Sequence, residues 1–168
     1  MRTGNIKVSS EILEKIKKLP FFKNAHLDQK KYEDAGYKIE SLHQHEQYGT
    51  GEAISDQLEW KWTDMFLPKE WKDTGLQFDR AFSGYCVPPH KDHYEYYKRK
   101  FLHSEKDIKR RLVFLEDWKM GHYFQVNETV FVKWQQGDWV EFGADDTHLG
   151  GNIGPEVRYT LQITGIEL

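Results

Sequence analysis

The chain has 168 residues, of which 38 % are hydrophobic, 30 % charged and 15 % aromatic, and its net charge is −3. That length suits one domain with a sizeable core, and the charge balance gives no reason to expect nucleic acid or an acidic membrane as partner. The lone Cys86 cannot form an internal disulfide, which suits a reducing compartment. Its expected role is that of a small buried hydrophobe, with a nucleophile as the alternative. Met1–Ser10 has no apolar core of signal-peptide length and no run approaches a membrane span, so a cytoplasmic protein is expected.

In chain order, residues 9–19 predict a helix. Ser9 or Ser10 can cap it, Ile12, Leu13, Ile16 and Leu19 share one face, and Pro20 stops it. Lys15, Lys17 and Lys18 lie near its C-terminal end, where the helix dipole favours cations. Leu58, Trp60 and Trp62 alternate with charged residues and suggest a half-buried strand, and Pro68 opens a helical turn near Trp71. From Gln77 onward short alternating apolar runs follow, at 78–86, 111–116, 122–126, 129–134, 138–142 and 157–164. Gly121, Gly137, Gly143 and Gly150-Gly151 punctuate them. Such spacing predicts an antiparallel sandwich or barrel. Helix first and strands after point to a mainly β jelly roll braced by N-terminal helices.

His90-Lys91-Asp92 follows the first of these runs. In an extended chain residues i and i+2 point the same way, so an imidazole and a carboxylate can meet one divalent metal. A third ligand must come from a distant strand, and His148 is the candidate, between the runs 138–142 and 157–164. Two histidines and one carboxylate leave coordination positions open, as in non-haem Fe(II) oxygenases, although zinc hydrolases use similar sets. Arg158 lies ten residues beyond His148, with Thr160 at i+2 and Gln162 beyond on the same face. A buried guanidinium beside a hydroxyl is a fork for a carboxylate, so the pair is the expected anchor for a dicarboxylate held by the metal at its other end.

Over residues 79–165 the chain resembles the 2-oxoglutarate and Fe(II)-dependent oxygenase superfamily, in particular its small prolyl-hydroxylase-like branch. The elements that carry the resemblance stand in order: Pro89-His90-Lys91-Asp92, the stretch Arg111–Trp118, Gly121-His122-Tyr123-Phe124, the stretch Lys133–Phe142, His148, and Arg158–Leu161. The resemblance implies a double-stranded β-helix of cupin-like, jelly-roll form. Residues 79–168 would be its catalytic core and residues 1–78 helical and strand support within one domain. It implies Fe(II) on His90, Asp92 and His148, with 2-oxoglutarate and O2 as co-substrates and Arg158 and Thr160 on the distal carboxylate. Hydroxylation of an amino-acid, peptide or small-molecule substrate would release succinate and CO2. Relatives often carry a tyrosine in the strand corresponding to 111–116. Phe114 stands near that place and lacks the hydroxyl, so Tyr85 is the candidate to supply it. The common Gly-Gly step is Gly121-His122 here, and His122 is expected at the surface or behind the ligands, with a pocket position as the alternative.

Residues 91–111 hold eight Lys/Arg against four acids, interleaved with tyrosines. They follow the first two ligands directly, so Tyr94, Tyr97 and Arg99 are candidates for a substrate-recognition loop, with a solvated face as the alternative. His43 and His45 predict no second metal site, and Trp118, Trp134 and Trp139 are expected to pack the sandwich. Two other functions compete: a cupin-like metal enzyme that uses no keto acid, and a non-catalytic β-sandwich binding module. Expected partners are a small-molecule or peptide substrate, and neither membrane nor nucleic acid.

Overall fold

The alternating runs become strands of two facing antiparallel sheets. A computed structural model of the chain describes residues 1–23, 51–55, 61–101 and 107–168. Among these, a seven-stranded sheet runs in the order β1 (Arg2–Asn5), β9 (Asp138–Gly143), β6 (Ile108–Phe114), β11 (Arg158–Glu167), β4 (Trp71–Ala81), β3 (Gly51–Ser55) and β2 (Phe22–Lys23). A four-stranded sheet runs β5 (Tyr85–His90), β10 (His148–Asn152), β7 (His122–Val126) and β8 (Thr129–Phe131). From β4 onward the chain passes back and forth between the sheets, and only the β7–β8 hairpin stays in one. That connectivity is a jelly roll, the double-stranded β-helix expected from the sequence.

Side-chain alternation divides the core into two layers. On the outer face of the large sheet, Leu76, Phe78, Val113, Leu161 and Ile163 pack with Val8, Ile16 and Phe66. Helix α1 (Ser10–Lys17) closes this face, with fully buried Ile16 as its anchor and Ser9 as its N-cap, the Ile12 N–H donating to Ser9 Oγ at 3.2 Å. Between the sheets, Leu112, Phe114, Phe124, Val126, Trp134, Val140 and Phe142 form a second core. Trp134 lies flat on Phe114, ring centroids 3.9 Å apart.

Three local expectations change. The run 78–86 is two strands, β4 and β5, because Gly84 takes φ +85° in the turn between them and sends the chain to the other sheet. Trp62 lies in a 3-10 helix, Lys61–Phe66, where it stacks on Phe78 instead of alternating in a strand, while Leu58 and Trp60 lie outside the described residues. Pro68 opens a single turn, closed by the Trp71 N–H on Pro68 O at 3.1 Å, and Trp71 already begins β4. A second helix, α2 (Glu95–Phe101), occupies the basic segment. No helix among the described residues is long and apolar enough to cross a membrane.

Packing, more than capping, should hold α1. Ile16→Ala is expected to lower the unfolding free energy by about 3 kcal/mol and Ser9→Ala by about 1 kcal/mol, both measured by urea denaturation. Equal losses would refute the anchor role of Ile16.

Candidate metal centre

The pairing of β5 with β10 builds the centre. His148 stands opposite His90 in the register, and the ladder shifts between His148 and Gly150. The two imidazole rings thereby come within 4.2 Å, centroid to centroid. Asp92 follows β5 by two residues, as the His-x-Asp spacing requires, and its oxygens lie 3.6 Å from His90 Nε2 and 3.4 Å from His148 Nε2. The three side chains are buried, with one ligand atom of each within 4.8 Å of the others. Metal–ligand bonds of about 2.1 Å separate neighbouring ligands by about 3 Å, so the cluster needs only a slight contraction to hold an ion.

The outer ring nitrogens orient the inner ones. His90 Nδ1 meets Pro88 O at 2.7 Å and His148 Nδ1 meets Asp146 O at 3.3 Å. Donation to these carbonyls leaves each Nε2 as a lone-pair ligand. Asp146 is itself held in the turn before β10, with its Oδ2 accepting the Gly143 N–H at 2.8 Å and its Oδ1 the Asn127 amide at 2.7 Å. These residues fit a divalent metal.

Arg110 completes the cluster and was not singled out by the sequence. It reaches in from β6 and donates through Nη1 to Asp92 Oδ2. Its guanidinium also lies 4.8 Å over the Tyr94 ring. Tyr94 has φ +51°, uncommon for a bulky residue, in the turn from the ligand loop into α2. Burial disfavours the charged guanidinium, but Asp92, Tyr94 and Asp79 together outweigh it and raise its proton affinity. One oxygen of Asp92 is therefore held by a fixed cation, and the carboxylate is oriented before any metal arrives.

The inner face of the large sheet carries a second polar cluster. On β11, Arg158 and Thr160 are buried and face inward, while Tyr159, Leu161 and Ile163 face the outer core. Arg158 Nη1 donates to Tyr123 O at 2.7 Å and to Gly151 O at 3.2 Å, whereas its Nε is buried with no hydrogen-bond partner among the described residues. Gly150 makes room for it, since a Cβ there would stand 3.3 Å from Arg158 Nη1 and 3.0 Å from the Phe124 ring. Tyr85 faces the same interior, and burial, with Asp79 nearby, pushes its hydroxyl up to about 12, so it stays protonated. Asp79 lies on β4 directly opposite Thr160. Its Oδ1 accepts from Gln77 Nε2 at 2.7 Å and its Oδ2 from Gln162 Nε2 at 2.8 Å. Enclosure between the sheets pushes Asp79 up to about 6, against the lowering effect of both glutamines, Arg110 and Arg158. Asp79 nevertheless keeps some solvent contact.

Other predicted residues fall elsewhere. Tyr97 packs with Tyr94, Ile108, Ala144 and Ile166, and its hydroxyl donates to Asp73 O at 2.6 Å. Arg99 is exposed on α2, with Nε donating to Glu95 O at 3.3 Å. His122 is buried but stands apart from the triad, its ring stacked on Trp134 and its Nε2 2.9 Å from Glu156 O. His43, His45 and His103 lie outside the described residues. An open groove of about 620 Å³ between Trp118 and Trp134 contains no member of the triad.

The fold and this cluster define a jelly-roll protein with a candidate divalent-metal centre. Neither protein-family models nor curated proteins give a match to the chain. Solved structures similar to it include a cupin domain of Cnp3 from Schizosaccharomyces pombe, at 14 % identity and TM-score 0.43, over 70 % of this chain and 61 % of that one. A predicted oxalate decarboxylase from Thermotoga maritima is similar at 15 % identity and TM-score 0.44, over 70 % and 84 %. KdgF from Halomonas sp. is similar at 7 % identity and TM-score 0.44, over 70 % and 80 %. The jelly roll itself rests on the strand order and pairing.

Arg110→Met should weaken divalent-metal affinity by about 10- to 100-fold, the usual effect of losing a group that orients a ligand. Titration with Co(II), followed by its visible bands, measures this. Unchanged affinity would mean that Asp92 orients without Arg110.

Proposed function

We propose that this chain is a non-haem Fe(II)- and 2-oxoglutarate-dependent dioxygenase that hydroxylates an amino-acid, peptide or other small-molecule substrate. The observation that carries the proposal is Arg158. It is a buried, inward-facing guanidinium ten residues beyond His148, beside Thr160, with a buried Nε that no described group accepts. A cation enclosed at such cost calls for an anion.

In this reading His90, Asp92 and His148 hold the iron through two neutral imidazoles and one carboxylate oxygen. The iron, when bound, supplies oxygen activation and the oxidative decarboxylation of the keto acid to succinate and CO2. Arg158 and Thr160 hold the distal carboxylate and so fix the co-substrate's orientation. Tyr85, protonated at neutral pH, can donate a further hydrogen bond there. Phe142, 4.7 Å from the His148 ring, and Phe124, at 6.3 Å, wall the centre with apolar surface and limit water. Exposed Arg99 would meet substrate at the mouth, with Tyr94 and Tyr97 supporting its helix from beneath.

A second reading is a cupin-like metal enzyme that uses no keto acid. Two observations favour it: Arg158 Nη1 already donates to two backbone carbonyls, and a carboxyl group, Asp79, faces Thr160.

Anaerobic titration of the Fe(II)-loaded protein with 2-oxoglutarate separates the two. A weak visible metal-to-ligand charge-transfer band is expected, and His148→Ala should abolish it. Arg158→Ala should raise the half-saturating 2-oxoglutarate concentration about 10- to 100-fold, as loss of a charge-assisted hydrogen-bond pair implies. Absence of the band in folded, iron-loaded protein would favour the second reading.

A further inference from the structure

Asp79 is out of place in a site built for an anion. It is the Cα partner of Thr160 across β4 and β11, so the two side chains project from the same face at adjacent positions. Arg158 pairs with Ala81 on the same two strands, one inward position away. Any carboxylate lying between Arg158 and Thr160 therefore lies beside the Asp79 carboxyl group.

Charge can be counted at each end of this interior. At the triad a divalent metal, Asp92 and Arg110 sum to two positive charges, enough for the anionic end of a keto acid. At the far end Arg158 and an ionised Asp79 cancel, and Arg110, which also faces Asp79, is already paired with Asp92, so no net positive charge is left to attract a second carboxylate. The groups facing Asp79 are Gln77 on its own strand, Thr160, Gln162 and Arg158 on β11, Arg110 on β6 and Tyr85 on β5, and its Cα partner on β3 is Ala53. Two of these are cations and none of the others is an anion at neutral pH. The approach of an anion would disturb this balance most directly at Asp79, which can relieve it by protonation.

We propose that Asp79 is a specificity-determining residue of the anion pocket: it takes one proton from solvent as the distal carboxylate docks on Arg158 and Thr160, and then donates a hydrogen bond to that carboxylate. This rests on the 2-oxoglutarate reading above. No covalent bond changes; one proton moves from water or buffer onto Asp79. The two glutamines hold the carboxyl in place by donating to its oxygens, and they can keep doing so after protonation, because the hydroxyl oxygen retains acceptor capacity beside its O–H. The pocket thus distinguishes ligands by their distal end, accepting a carboxylate only together with a proton.

The sign of the pH dependence follows. In the free protein Asp79 titrates at about 6, and a bound carboxylate raises it further. Between those two values each pH unit upward costs a factor of about ten in affinity. With Asp79 protonated in the complex across this range, the metal-loaded protein should bind 2-oxoglutarate at least about tenfold more weakly at pH 8.5 than at pH 6.5. Asp79→Asn should bind more tightly than the natural protein at pH 8.5 and show a flatter profile. Calorimetry of the natural protein at pH 7.5, in two buffers of different ionisation enthalpy, should count close to one proton taken up per 2-oxoglutarate bound. That count needs no variant, so a poorly folded Asp79→Asn would not block the test. Binding with no proton uptake, or with the same slope in the variant as in the natural protein, overturns the role of Asp79 alone. No 2-oxoglutarate binding by metal-loaded protein at any pH overturns the co-substrate reading and this role with it.

Discussion

The pairing of β5 with β10 is the constraint on which the rest of the centre depends. Each strand brings one histidine, and the register sets His90 opposite His148. In an antiparallel ladder a slip of one residue would turn one imidazole to the opposite face. The neighbouring pairing of β10 with β7 places His148 beside Val126 and Gly150 beside Phe124, so the inner hydrophobic core pins the same register from the other side. The two histidines thus sit on strands tied to apolar packing, which gives a metal site rigid support.

Buried charge is the second theme. Arg110, Asp92, Asp79 and Arg158 converge between two sheets that are otherwise closed by aromatic and aliphatic side chains. Enclosing charge in this way is costly, and replacement by apolar residues often leaves a protein as stable or more so. Arg110 donates to Asp92 through Nη1, while its Nε, like that of Arg158, is buried with no hydrogen-bond partner among the described residues. Asp79 is held by glutamine amides, and Arg158, among the described residues, by backbone carbonyls on one nitrogen. A contrasting cluster lies on the outside of the large sheet, where Arg111 is sandwiched between Trp71 and Trp139 and bonded to Glu141 and Glu70. There every charge has a counter-charge, and the cluster reads as structural.

Much of the jelly roll was legible because its strands alternate. His122–Val126 was legible to the residue, and Asp138–Gly143 and Arg158–Glu167 with small shifts at their ends. The triad was legible because His-x-Asp and a distant histidine are few in kind and strict in order. Periodicity did not reveal the split between β4 and β5, since Gly84 looks like any other glycine until the chain is seen to change sheets there. Helix α2 was hidden by its charge. Its buried side is made by Tyr97 and its neighbour Tyr94, whose partners Ile108, Ala144 and Ile166 come from far along the chain.

The sequence by itself determined the fold class, most strands from β6 onward, the three candidate ligands and the Arg158–Thr160 pair, because these depend on local alternation and on residue chemistry at short spacing. Only the tertiary structure decided that Arg110 grips Asp92 and that Asp79 stands beside Thr160. Those contacts join residues 18 and 81 positions apart through sheet register. Register is fixed by the packing of both sheets together, a collective property that no single segment carries.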